Sequence, residues 1–162
     1  MKQQPRIVTL QEKKMVGNSL RMSLIKNTTS ELWKSFIPLR KQIPNVIGED
    51  LFSIQVYDNL DYFRQFDPKT EFTKYAAVEV SNHDSVPLNM ESFSMPGGVY
   101  AVFIHKGANT NQSTFEYIFR EWLPPSDYEI DNRPHFEVLG KKYVNNSPHS
   151  EEEVWIPIKI KV

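Results

Sequence analysis

The sequence predicts an α+β fold built as a tandem βαββ pseudo-repeat, with antiparallel sheets and one long helix per half. Three observations carry this. Two amphipathic helical segments stand out, six segments of strand character surround them, and only short polar turns intervene. The order is strand, helix, strand, strand, and then the same again. A length of 162 residues suits a single domain over 1–162, with half one about 5–90 and half two about 91–162. No residue-level repeat accompanies the order, so the duplication is one of architecture. Helices on a mostly antiparallel sheet are expected to cover one of its faces.

A strand near Met15 to Ser23 leads into the first helix. That helix begins at Thr28, where Thr28-Thr-Ser-Glu31 has the spacing of a capping box. Leu32, Phe36, Leu39 and Ile43 then recur at helical spacing and form one buried stripe. Pro38 removes a backbone donor mid-way, which predicts a kink or an early end, and Pro44 stops the segment. The second helix runs from about Ser113 to Leu123, opening on Ser113-Thr-Phe-Glu116. Phe115, Ile118, Phe119 and Trp122 share its buried face, and Pro124-Pro125 ends it. Leu51 to Asp58, Tyr75 to Ser81, Val99 to His105, His135 to Leu139 and Val154 to Lys159 carry the β-branched and aromatic residues of strands. The polar turns Asn82 to Asn89 and Asn145 to Ser150 are too short to link separate domains.

Composition narrows the function classes. Hydrophobic residues at 40% and charged residues at 24% describe an ordinary folded domain. Aromatics at 12% exceed what a core this size requires, so some are expected to line a pocket. The absence of cysteine excludes disulfides, thiolate metal sites and a thiol nucleophile. The four histidines, His83, His105, His135 and His149, lack metal-ligand spacing, so no metal and no cofactor is expected. Gly97-Gly98 lacks the glycine spacing of a dinucleotide loop and reads as a turn. A net charge of −1 offers no electrostatic footprint for nucleic acid; the basic pairs Arg40-Lys41 and Lys141-Lys142 read as solvated surface. No signal peptide or membrane-length apolar run is visible, which points to a cytoplasmic protein.

Strand alternation nominates a groove face. Val154, Ile156 and Ile158 point one way, Glu153 and Trp155 the other. Phe52, Ile54 and Val56 oppose Ser53, Gln55 and Tyr57, while Ala76, Val78 and Val80 oppose Tyr75, Ala77 and Glu79. Glu137 opposes Phe136 and Val138. If each apolar set faces the helices, then Tyr57, Glu79, Glu137, Glu153 and Trp155 share the face away from them. A solvated sheet face explains the carboxylates equally well. Trp155 argues for a groove, because a large aromatic on a solvated face needs an explanation. Phe103 and His105, on the strand before the second helix, complete the candidate ligand-binding set, although a hydrogen-bonded structural role is the commoner fate of such a histidine.

The sequence also resembles the gyrase-inhibitor-like (GyrI-like) effector-binding domains, which occur alone and fused to AraC-type and MerR-type transcription regulators. The resemblance rests on Arg6-Ile-Val-Thr-Leu with Lys14-Met-Val-Gly17, and on Gly98-Val-Tyr-Ala-Val-Phe-Ile-His-Lys-Gly107. Glu121-Trp-Leu-Pro124, Tyr128-Glu-Ile-Asp131, Arg133-Pro-His-Phe-Glu137 and Glu153-Val-Trp-Ile-Pro-Ile158 follow in order. It implies a groove at the pseudo-twofold that takes small hydrophobic, often cationic compounds on acidic and aromatic residues. Glu137, Glu153 and Trp155 are the matching positions. A resemblance that begins at Pro5 leaves no room for a helix-turn-helix, so no direct contact with nucleic acid is expected.

The expected function is therefore binding of a small hydrophobic, cationic or aromatic molecule, for effector sensing or sequestration. A poorly solvated carboxylate among aromatics takes up a proton or a cation, and aromatic faces attract the same cation. One alternative is a small-molecule hydrolase, with Glu137 or Glu153 activating water and Tyr57 donating a proton. Another is a protein-partner role, such as the gyrase inhibition after which the family is named. Sequence does not choose between monomer and homodimer.

Overall fold

The computed structural model describes residues 3–162. In chain order the elements are β1 (Arg6–Leu10), β2 (Lys13–Met22), α1 (Thr29–Phe36), β3 (Leu51–Val56), α2 (Asp61–Arg64), β4 (Phe72–Val80), β5 (Glu91–Met95), β6 (Gly98–Lys106), α3 (Ser113–Tyr117), β7 (Tyr128–Ile130), β8 (His135–Leu139) and β9 (Glu151–Ile160). The expected α+β class holds. The strands form one antiparallel sheet in the order β1-β6-β9-β8-β3-β4-β2-β5, with β7 added on β9. The two halves meet at the β3–β8 pair, where Ser53 faces Glu137 and Gln55 faces His135. From that seam the strands run outward in mirrored order, β3-β4-β2 and β8-β9-β6, as a tandem βαββ arrangement requires.

Both helices are shorter than their apolar stripes suggest. Pro38 converts the second part of the first into a 3-10 turn over Ile37–Gln42. The second passes after Tyr117 into a π-helical turn over Ile118–Trp122. Neither capping box forms. Asn27 Oδ1 accepts the Thr29 N–H at 3.0 Å and Asn111 Oδ1 accepts that of Ser113 at 2.9 Å, so asparagines two residues upstream serve the helix starts instead.

Strands β1, β5 and β7 and the short α2 were not among the expected elements. β1 pairs with β6 and β5 with β2, so each half borrows its outermost strand from beyond the expected boundaries. The connections Gln11–Glu12 and Pro96–Gly97 each join strands on opposite sides of the sheet. Two residues let the flanking Cα atoms lie no more than about 11 Å apart. The sheet must therefore curl until its two ends meet.

That curl creates three apolar cores. On the convex face, α1 packs Leu32 and Phe36 on Ala76, Val78 and Val80, and α3 with the π turn packs Ile118 on Phe103, Val154 and Ile156. Inside the curl, Phe52, Ile54, Phe136 and Tyr100 close against Met15, Met95 and Leu10. The Tyr100 hydroxyl donates to the Pro134 carbonyl at 2.7 Å, and the Arg133 guanidinium lies 4.8 Å from its ring centre. Tyr100→Phe, which removes the donor to this partly buried carbonyl, is expected to cost about 1 kcal/mol of stability by urea unfolding.

Candidate functional site

Alternation puts the apolar side of every strand against the helices, and the register corrects this. Val154 packs under Ile118, and the pairing Ser53–Glu137–Val154 puts all three side chains on the helix side. On β3 and β8 it is the apolar set, Phe52, Ile54, Phe136 and Val138, that points into the curl. The physical reason is that α1 and α3 sit over the flanking strands and leave the central pair uncovered by either. The convex face thus carries a polar strip along the seam, and the concave face is filled by its own core.

The five nominated residues therefore do not converge. Glu137 and Tyr57 lie with the strip; Glu79, Glu153 and Trp155 lie on the other face. Glu79 pairs with Lys13 at 3.1 Å. Glu153 accepts from Arg6 at 2.7 Å and from the Trp155 indole at 3.1 Å. Trp155 stacks on Phe136 at 5.1 Å, so packing explains this aromatic without a ligand. Of the two glutamates considered as a hydrolase base, Glu153 lies on the face away from Tyr57, whereas Glu137 shares the strip with it. Phe103 is fully buried beneath α3 and presents no surface to a ligand. His105 shares the strip's face, but its Nε2–H donates to the Ala108 carbonyl at 2.9 Å and its Nδ1 meets the Thr114 hydroxyl at 2.7 Å. Both of its ring nitrogens are engaged by neighbours.

The strip brings together residues that alternation alone did not nominate. Ser53, Gln55 and His135 are buried along its floor, with Lys74 of β4 beside Gln55 and Glu152 of β9 beside His105. Burial pushes Glu137 up to about 7; Lys74 pulls it down, Glu152 pushes it further up, and Gln55 and His105 pull it back. Burial likewise pushes Glu152 to about 7 against the pull of Lys74. Burial lowers the Lys74 ammonium, which the two carboxylates partly support. Two carboxyls are thus poised between acid and carboxylate near neutrality.

Aromatic rings close one end of the strip. Tyr57 lies 4.4 Å from Tyr62, 4.8 Å from Phe63 and 5.0 Å from His135, measured between ring centres. Phe63, from α2 of the first half, stacks on His135 at 5.0 Å and on Phe119 of the second half at 5.8 Å. Burial, with Arg133 nearby, holds His135 down to about 3, so it stays neutral at physiological pH. At the opposite end a cleft of about 510 Å3 opens, lined by Arg40, Asp50, Leu51, Leu139 and Tyr143. Burial and the charges of Glu152 and Glu137 raise the Tyr143 phenol, which ties the cleft to the carboxyl pair.

Signals for these residues existed in part. Ser53, Gln55 and Glu137 alternate with apolar neighbours on the two central strands, and Glu152 falls in phase with the buried Val154 and Ile156. Nothing local marks Lys74, whose place depends on which strand β4 joins.

The family model for Cass2, integron-associated effector binding protein, matches residues 6–158. The transcriptional regulator BrlR of Pseudomonas aeruginosa is 28% identical over 156 residues, 94% of this chain and 54% of the regulator. The chain thus spans about half the length of the curated relative it matches. Among solved structures, SAV2435 bound to tetraphenylphosphonium has a TM-score of 0.69 at 14% identity, covering 97% of this chain and 94% of that one. The EcmrR C-terminal domain also has a TM-score of 0.69 at 14% identity, covering 98% of each chain. A hydrolase from Listeria innocua has a TM-score of 0.59 at 10% identity, covering 96% and 92%. At these identities the structural likeness is one of fold. No helix among the described residues is long and apolar enough to cross a membrane.

Proposed function

The chain belongs to the Cass2 family of integron-associated effector-binding proteins, and we propose that it binds a small hydrophobic, cationic or aromatic molecule in the groove along the β3–β8 seam. The observation that carries this reading is the burial of two glutamates, Glu137 and Glu152, on one seam floor between two helices, which pushes both carboxyls up to about 7. A carboxyl in this state ionises when a cation arrives to replace the water it has lost. Tyr57, Phe63 and Phe119 supply flat apolar surface beside it. The bound tetraphenylphosphonium of SAV2435, on the same fold, supports a lipophilic cation as the probe. Binding alone fits either sensing or sequestration.

Calorimetric titration with tetraphenylphosphonium at pH 7.5 tests this. The expected outcome is saturable binding at one site, weakened about tenfold by Glu137→Gln, the size of one charge-assisted contact. Glu153→Gln, on the opposite face, is expected to leave the affinity unchanged. Absence of any saturable signal in the unmodified chain would overturn the cation reading.

A further inference from the structure

A groove built for a lone cation has no use for a lysine on its floor, and this one has Lys74. The residue sits on β4 directly beside Gln55, and its Nζ donates to Thr29 Oγ1 at 3.3 Å. It makes no direct ion pair among the described residues, so neither carboxylate consumes its charge by contact. The residue is partly buried, and burial lowers its ammonium. From Lys74 to Glu152 the floor crosses β3 and β8, which is three strand spacings or about 14 Å of sheet. Along the strands Glu152 lies level with the cleft mouth, and Lys74 lies deeper, level with Gln55 and His135. Glu152 and Lys74 thus stand at different ends of one floor, with Glu137 between them and the lysine's charge felt by both carboxylates.

We propose that the preferred occupant is an aromatic zwitterion, with its ammonium at Glu137 and Glu152 and its carboxylate or phenolate at Lys74. The proposal rests on the groove reading above and narrows its ligand class. A monocation placed on this floor meets attraction at one corner and repulsion at the other. A zwitterion meets attraction at both, and the repulsive element is then what rejects the simpler ion. Tyr57 and Phe63, both packed on His135, put aromatic surface at the Lys74 end of the floor.

The test is calorimetry on the full chain with three probes: tetraphenylphosphonium, benzylamine and 4-(aminomethyl)benzoate. In the unmodified chain the zwitterion is expected to bind about tenfold more tightly than benzylamine, the value of one added charge pair. Lys74→Met is expected to reverse that ratio and to strengthen tetraphenylphosphonium several-fold, because an opposing charge is gone. Lys74→Arg, which keeps the charge, is expected to retain the preference and guards against a variant that simply misfolds. Equal binding of zwitterion and monocation, unchanged in Lys74→Met, would overturn the proposal while tetraphenylphosphonium binding left the groove reading intact. Failure of all three probes would remove both.

Discussion

Replacing Gly17 by alanine is expected to cost about 3 kcal/mol or more of folding stability and to lower the thermal midpoint by roughly 10 °C. A Cβ at this position would overlap the Ala76 carbonyl oxygen and stand 2.7 Å from Ala77 Cα. Both are backbone atoms, so no side chain can rotate away. The obstacle is β4 itself, which β2 follows from Lys14 to Met22. On its other side Gly17 pairs with Glu91 of β5, so β2 is held from both edges there. Accommodating one methyl group means prising apart two strands that also carry the α1 core. Urea and thermal unfolding of the variant check this. An unchanged midpoint would mean that β2 and β4 can separate at little cost, contrary to the register described above.

The second large effect is expected in solution pH. Tetraphenylphosphonium, whose own charge does not titrate, is expected to bind several-fold more tightly at pH 7.5 than at pH 5.5, approaching the loss expected for Glu137→Gln, because a carboxyl titrating near 7 is almost wholly protonated at the lower pH. The sign follows from the direction of the shifts. Glu137 and Glu152 are raised from 4.5 to about 7, so the empty protein holds their protons where the unfolded chain has lost them. Their contribution to stability is full below about 4.5 and is lost as pH rises through about 7. A bound cation favours the ionised forms and offsets that loss, so it should raise the melting temperature more at pH 7.5 than at pH 5.5. His135 acts in the opposite sense: lowered from 6.5 to about 3, it contributes stability above 6.5 that is lost as pH falls towards 3. Measuring affinity and melting temperature across this window separates the two, because His135 moves stability without moving cation affinity. A flat affinity profile would mean that neither carboxyl meets the ligand.

The fold was legible because its elements have strong local signals. Helical stripes, prolines and β-branched runs located both helices and all six strands of the two βαββ units. The borrowed strands were harder: Arg6–Leu10 and Glu91–Met95 are short and gain a reason to be strands only from partners far along the chain. The site was legible in alternation but not in orientation. Glu137 and Tyr57 were found because a polar residue between apolar neighbours is visible in one strand. Which face each belonged to was not, since the apolar side of β9 meets α3 while the apolar side of β8 meets the curl. Only the register between strands carries that information. The same ambiguity promoted Glu153 and Trp155, whose indole–carboxylate contact serves the opposite face. It also hid Glu152, one residue away.

The pairing of β1 with β6 bears on how the chain reaches its native state. Arg6 finds Val102, and Leu10 finds Gly98, nearly a hundred residues later. The seam is no more local, since Ser53 must wait for Glu137. Closing such spans adds little to the entropy cost, which grows only logarithmically with length, but it slows the search for the transition state. During synthesis the first half emerges with β3 unpaired at what will become the seam, and with β1 lacking its partner altogether. Two exposed strand edges on a half-made protein are templates for intermolecular pairing. Yield from rapid expression should therefore be limited by association of nascent chains rather than by the stability of the finished fold, and slower synthesis at lower temperature should relieve it.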